Sequence, residues 1–192
     1  MLSEFKYGSP VMQAIVNRRS QFHFTDTPIS KNSIDMLLDA GMRTSTISSK
    51  RLWSYVVIQD DTYITYLREY ALLLKQLNDI SGLNGRGVKL EEDFHVGSES
   101  LILICANLLS PYAFDDCWLA VENMLLTGSA LGFGVLMDGS LLKVANLSNI
   151  KSDLNVPDEL TILAAIIVGE PKNPLLPSHG GCPKVWKWVC SS

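Results

Sequence analysis

The segment from residue 115 to residue 131 constrains the fold most, because it is helical in pattern and apolar nearly all round. It begins with Asp115 and Asp116, which favour a helix N-terminus, and Gly132 ends it. A helix that is apolar on every side must be buried, either inside the domain or across a subunit interface. The chain of 192 residues is long enough for a sizeable core, and we expect a single domain over residues 1–192.

Three short apolar runs elsewhere in the chain predict strands. Residues 52–58 are rich in aromatic and β-branched side chains, and residues 101–106 are an apolar run bounded by polar residues. Residues 160–168 form another apolar run, which ends at a Gly-Glu-Pro sequence. A short aromatic segment, residues 185–189, also has a strand-like pattern. Strands among several helical patterns indicate an α+β or α/β protein.

Helical patterns lie between these strands. The Ser9 hydroxyl is expected to cap a first helix that starts at Pro10, and Ser30 to cap a second one. Asp60 and Asp61 start a long amphipathic helix, and residues 141–154 predict a single amphipathic helix. By contrast, residues 82–98, with four glycines and mixed charge, predict an irregular excursion.

Composition argues against several classes of protein. The hydrophobic share of 47% opposes disorder, and a net charge of −4 disfavours a nucleic-acid-binding protein. The longest apolar run, residues 162–168, is far shorter than the roughly 20 residues that cross a bilayer. No signal peptide is visible, and the four cysteines form no CxxC pair. We therefore expect a cytoplasmic protein with reduced thiols and without membrane or nucleic-acid partners.

Several catalytic and metal-binding motifs are absent from the sequence. The three histidines are far apart and lack the spacing of zinc ligands, so no metal site is expected. There is neither a G-x-S-x-G nucleophile elbow nor a phosphate loop of the G-x-x-x-x-G-K type. Gly132 and Gly134 have the first gap of a dinucleotide fingerprint, but Met137 occupies the third glycine position.

The most informative polar stretch is Arg18-Arg19-Ser20. Two guanidinium groups and a hydroxyl at the end of an apolar helix can neutralise and hydrogen-bond a phosphate. Alternatively, the arginines cap the helix C-terminus, where cations are favoured. The three residues alone leave both interpretations open.

Further segments accompany this stretch in a fixed order. Residues 14–24 read A-I-V-N-R-R-S-Q-F-H-F, residues 26–30 read D-T-P-I-S, and residues 53–60 read W-S-Y-V-V-I-Q-D. In this order, and with V-P at residues 156–157 and I-I-V-G-E-P at residues 166–171, they resemble the nitroreductase family of FMN-dependent flavoproteins. The strongest match is to the family's D-x-x-x-A-x-x-N-L-L-L-A-A-x-A-L-G-L-G segment, at Asp116, Ala120, Asn123, Leu125, Leu126, Ala130, Leu131, Gly132 and Gly134.

The resemblance implies a fold and an assembly. The fold would be α+β, with a mixed, mainly antiparallel central sheet surrounded by helices. Two chains would form an intertwined homodimer with two FMN sites, each built from both chains. Arg18, Arg19 and Ser20 would bind the phosphate, beside Phe22, and Lys184 would also reach it. The other expected contacts are a loop facing the flavin ring (Ser45, Thr46, Ser49 and Arg51) and the main chain of Val135 and Leu136.

Three residues depart from the family pattern. Phe22 stands where the family usually has another Arg, so one phosphate-directed charge is lost. Ser49 replaces an Asn that hydrogen-bonds the flavin ring, and Arg51 replaces a Gln. A cation at position 51 near the pyrimidine edge would stabilise the anionic reduced flavin and raise its potential. The alternative is a surface Arg in a loop that no longer touches FMN.

The resemblance also implies an activity. Enzymes of this family take a hydride from NADH or NADPH onto FMN and pass electrons to a nitroaromatic, quinone or similar small acceptor in a ping-pong cycle. Because the flavin carries the chemistry, no catalytic side chain is assigned. Nothing in the sequence supports a specialised reaction such as dehalogenation. A non-catalytic flavin-binding or regulatory dimer is the alternative, and the substitutions at Phe22 and Ser49 suggest it.

Overall fold

The computed structural model describes residues 8–46, 52–80, 99–173 and 183–190. None of the helices in these ranges is both long and apolar enough to cross a bilayer. Ser49, Arg51 and the excursion at residues 82–98 lie outside them. The elements are α1 (Pro10–Asn17), α2 (Lys31–Met42), β1 (Trp53–Ile58), α3 (Asp61–Ile80), β2 (Ser100–Ala106), α4 (Ala113–Ala130), β3 (Gly134–Met137), a 3-10 turn (Gly139–Leu141), α5 (Leu142–Ala145), α6 (Ser148–Asp153) and β4 (Thr161–Gly169).

The four strands form one sheet in the order β1-β2-β4-β3, and each neighbouring pair is antiparallel. β2 lies in the interior of the sheet and is buried along its whole length. Because successive side chains of a strand point to opposite faces, Ile102 and Ile104 pack on one side, whereas Leu101 and Leu103 pack on the other. The continuous apolar run predicted as a strand therefore reflects burial on both faces.

Helices cover both faces of the sheet. α2 and α4 contribute to one apolar cluster with Ile102 and Ile104, and α3, α5 and α6 contribute to the other with Leu101 and Leu103. This arrangement confirms the expected α+β fold with a central antiparallel sheet between helices. It also explains the pattern of α4, whose inner side carries small or apolar side chains such as Ala120, Met124 and Gly128.

Side-chain caps fix two of the helix starts. The Ser30 hydroxyl accepts a hydrogen bond from Ser33 N at 3.1 Å, and Asp60 Oδ1 accepts one from Tyr63 N at 2.9 Å. The expected Ser9 cap is wrong, because the Ser9 side chain makes no cap hydrogen bond. Instead, the Ser9 carbonyl accepts from Gln13 N at 3.0 Å, and the helix begins on proline geometry alone.

The single helix predicted over residues 141–154 is broken into the 3-10 turn, α5 and α6. Asn146 lies at the break between α5 and α6. Its Nδ2 donates to Leu142 O at 2.9 Å and to Ile162 O at 2.8 Å, and its Oδ1 accepts from Ile162 N at 2.9 Å. The Asn146 side chain therefore takes the place of a neighbouring strand for the main chain at the start of β4. The spacing of apolar residues continues from α5 into α6, which is why the sequence predicts one helix.

The strand-like interpretation of residues 185–189 is also wrong. Residues 183–190 contain no strand, and Trp186 and Trp188 are largely exposed. A strand needs a hydrogen-bonded neighbour, and no described strand pairs with this segment. The alternation of aromatic and aliphatic residues is therefore not sufficient to form a strand in this segment.

Candidate functional site

The Arg-Arg-Ser segment runs along the β3 edge of the sheet. Ser20 forms a parallel bridge with Val135, and Gln21 N donates to Val135 O at 3.0 Å. Farther along, Thr25 N donates to Glu170 O at 2.9 Å, just beyond β4. The structure thus brings together two parts of the expected site, Ser20 and Val135, that are far apart in sequence.

Phe24 anchors this segment to the sheet. Its side chain is 1% exposed and lies against Gly134 and Gly169, which are directly paired between β3 and β4. A Cβ atom at Gly134 would lie 2.9 Å from Phe24 Cε1, and one at Gly169 would lie 2.6 Å from Phe24 Cδ1. The glycine pair therefore provides the space for the ring. Sequence reasoning missed Phe24, because only the register of β3 on β4 shows that the two glycines are adjacent.

The two arginines have different partners. Arg19 Nη2 donates to Val16 O at 2.9 Å, and Arg19 Nη1 donates to Arg18 O. Arg19 therefore caps the C-terminal end of α1, as the alternative interpretation expects. Arg18 Nε lies 3.7 Å from Glu122 Oε1 on α4. Ser20 is exposed, and Phe22 is partly exposed two residues farther on.

The loop after α2 is held by α4. Thr44 is buried, and its Oγ1 accepts a hydrogen bond from Asn123 Nδ2 at 2.8 Å. The next residues are the expected ring-facing Ser45, which is exposed, and Thr46, which is half-buried. Glu122 and Asn123 are consecutive, so one turn of α4 contacts both Arg18 and the loop. The signal in the sequence was the amide of Asn123 within a largely apolar helix.

Val135 and Leu136 present only their main chain to the site. Both side chains are buried, and Val135 O already accepts the hydrogen bond from Gln21 N. α4 packs closely on β3 at Gly128, where an added Cβ would lie 2.5 Å from Val135 Cγ1. A residue with a side chain at position 128 would force α4 or Val135 to shift.

The contact that the structure describes for Lys184 is with an aromatic ring and not with the arginine segment. Its Nζ lies 4.1 Å from the ring centroid of Trp186, in the exposed segment 183–190. Lys184 makes no ion pair with the described residues. Its expected contact with a phosphate stays a prediction.

The buried cysteines Cys105 and Cys117 do not provide a thiolate nucleophile. Burial raises the pKa of Cys105 to about 11 and that of Cys117 to about 12, so both thiols stay protonated near neutral pH. Within the described ranges, no cluster of three His, Cys, Asp or Glu side chains could hold a metal ion. A partly exposed guanidinium at Arg18 and the exposed hydroxyl of Ser20 fit a ligand that carries a phosphate.

A family model and the relatives found by sequence comparison point to the same protein family. The model of the nitroreductase family matches residues 15–170. A putative NADH dehydrogenase/NAD(P)H nitroreductase of Archaeoglobus fulgidus is 24% identical over 167 residues, which cover 84% of this chain and 86% of that protein. An FMN reductase (NADPH) of Bacillus subtilis is 22% identical, over 84% of this chain and 66% of that protein.

Solved structures have the same fold. An FMN-dependent nitroreductase from Clostridium difficile superposes with a TM-score of 0.75 at 19% identity, over 93% of this chain and 98% of that one. A putative nitroreductase in complex with FMN from Desulfovibrio desulfuricans gives a TM-score of 0.68 at 24% identity, over 91% and 92% of the two chains. These matches confirm the resemblance inferred from the ordered motifs. With the family model spanning most of its length, the chain belongs to the nitroreductase family.

Proposed function

We propose that the protein is an FMN-dependent NAD(P)H oxidoreductase that reduces a nitroaromatic, quinone or similar small acceptor in a ping-pong cycle. The observation that carries this proposal is the pairing of the Arg-Arg-Ser segment with β3, at Ser20 and Val135, in a chain of this family. Bound FMN would supply the redox chemistry, by accepting two electrons from NADH or NADPH and passing them to the acceptor. The names of the relatives, NAD(P)H nitroreductase and FMN reductase among them, support the same activity.

The residues of this chain bind and orient the cofactor in this proposal. Arg18 and Ser20 hold the phosphate, and Arg19 supports them by capping α1. The main chain of β3 at Val135 and Leu136 and the loop at Ser45 and Thr46 lie beside the flavin ring. Ser49, Arg51, Phe22 and Lys184 remain proposed contacts on the resemblance alone.

Arg18→Gln tests the binding arrangement. We expect the affinity for FMN to fall about tenfold, the size of a lost charge-assisted hydrogen bond, whereas riboflavin binding stays the same because riboflavin has no phosphate. Flavin fluorescence quenching measures both affinities. Lys143→Gln, on the exposed side of α5, removes the same charge away from the site and serves as the control. An equal loss of both affinities would contradict the assigned phosphate contact.

The activity itself is tested on flavin-loaded protein without oxygen. We expect the flavin absorbance to bleach when NADH or NADPH is added, and to return when a quinone or nitroaromatic follows. Protein that binds FMN but is reduced by neither nicotinamide would favour the alternative, a non-catalytic flavin-binding or regulatory dimer. The apolar Phe22 near the phosphate-binding residues is the observation that keeps this alternative in view.

We also propose that two copies of the chain form a homodimer through α1 and α4. These two helices pack on each other, and both carry exposed apolar side chains. Val11 and Ile15 are exposed on α1, and Phe114 and Leu119 are 51% and 48% exposed on α4. α4 is apolar nearly all round, yet a single chain buries only part of it. A second copy would cover the remainder.

Leu119→Arg is expected to convert the dimer into a monomer, because a desolvated charge in an apolar interface is costly. Sedimentation velocity measures the assembly state directly. Leu73→Arg, at a residue 51% exposed on α3, is the matched control, because α3 covers the other face of the sheet. A wild-type protein that sediments as a monomer would contradict the proposed assembly.

A further inference from the structure

The segment from Arg18 to Phe22 offers a phosphate less positive charge than its two arginines suggest. Arg19 is engaged by main-chain carbonyls at the end of α1. Phe22 contributes no charge. The remaining guanidinium, Arg18, lies 3.7 Å from the carboxylate of Glu122, and the two side chains are 32% and 52% exposed.

We propose that Glu122 competes with the phosphate of FMN for Arg18, and that this competition lowers the preference of the site for FMN over riboflavin. The inference rests on the function proposed above and deepens it, because it concerns which flavins the same site accepts. Glu122 thus acts as a specificity-determining residue at the phosphate end.

The carboxylate of Glu122 neutralises part of the charge of the Arg18 guanidinium, and a phosphate bound by Arg18 would lie close to this second negative charge. Riboflavin carries no phosphate, so its binding neither breaks the Arg18–Glu122 pair nor meets that repulsion. An exposed ion pair contributes little free energy, so the penalty on FMN is modest, about two- to fivefold in affinity.

Glu122→Gln tests this inference, with the dissociation constants of FMN and riboflavin measured by fluorescence quenching on flavin-free protein. We expect FMN to bind about two- to fivefold more tightly, and riboflavin to bind as it does to the wild type. The gain should shrink at high salt, because salt screens partly exposed charges. Glu159→Gln, an exposed acid in the turn before β4, makes the same charge change as a control and is expected to leave both constants unchanged.

A second variant separates competition for Arg18 from a general effect of charge. In an Arg18→Gln background, Glu122→Gln should improve FMN binding less than it does in the wild type, and an equal gain in both backgrounds would overturn the competition. Unchanged FMN binding in Glu122→Gln, or an equal change for both flavins, would overturn it as well. Wild-type protein that binds neither flavin would instead overturn the proposed function, and this inference with it.

Discussion

Phe24→Ala is expected to destabilise the protein by about 3–5 kcal/mol, as measured by urea unfolding. The ring is buried and fills the space above Gly134 and Gly169, so truncation leaves a cavity against two residues that have no side chains to fill it. The same ring anchors the segment that carries Arg18 and Ser20. We therefore expect FMN affinity to fall together with stability.

A double-mutant cycle with Gly169→Ala tests the packing of the ring on the glycine. In the wild type, the added methyl group would lie 2.6 Å from Phe24 Cδ1, and we expect it to cost about 1–3 kcal/mol. In the Phe24→Ala background the ring is gone, so most of that cost should disappear. Additive effects of the two substitutions would contradict the contact. Gly139→Ala is a suitable control, because no atom lies within 4 Å of an added Cβ there.

Arg68→Met is expected to cost about 3–5 kcal/mol at neutral pH, because it leaves the Glu99 carboxylate buried without its cation. Arg68 on α3 forms an ion pair with Glu99 just before β2, and the two side chains are 11% and 1% exposed. Replacing both residues, with Glu99→Gln and Arg68→Met, should restore much of the stability, since neither position then carries a charge. A double variant as unstable as the single one would contradict this account.

The cost of Arg68→Met should also depend on pH. Burial raises the pKa of Glu99, whereas the hydrogen bond and charge of Arg68 lower it. The folded protein thus holds a proton on Glu99 more tightly than the unfolded chain does, and stability falls as the pH rises past the unfolded pKa. Without Arg68 the folded pKa rises further and the fall becomes larger. The penalty should therefore be smaller at about pH 4 than at about pH 7, as urea unfolding at both values would show.

The elements that were predicted correctly are those whose signal is local. The apolar run of β2, the cap at Ser30 and the helix start at Asp60 and Asp61 depend on neighbours in sequence, and each is found in place. The break at Asn146 could not be predicted, because its partner Ile162 belongs to β4. β3 was missed for a similar reason, since four residues after a glycine become a strand only through pairing with β4.

The candidate site divides in the same way. Arg18, Arg19 and Ser20 could be proposed as phosphate ligands from the sequence, but their partners within the protein could not be predicted. The carbonyls that Arg19 caps and the carboxylate beside Arg18 are set by how α1 ends and how it packs on α4. The role of Asn123 required the position of Thr44 at the end of α2. Residue types indicate which groups can bind a phosphate, and only packing determines which of them have competing partners.

Because Glu122 and Asn123 are adjacent, α4 fixes the distance between the two parts of the site that they contact. The Arg18 segment and the loop at Thr44 are both held by the same turn of α4. Loops elsewhere in the chain can therefore change in length without altering the distance between these two parts. A single residue inserted between Glu122 and Asn123 would have the opposite effect, because it rotates one contact by about 100° relative to the other. We therefore expect that sequence changes which alter the size of the accepted ligand occur in the loops that border the site, and that the length of α4 between these two contacts stays the same.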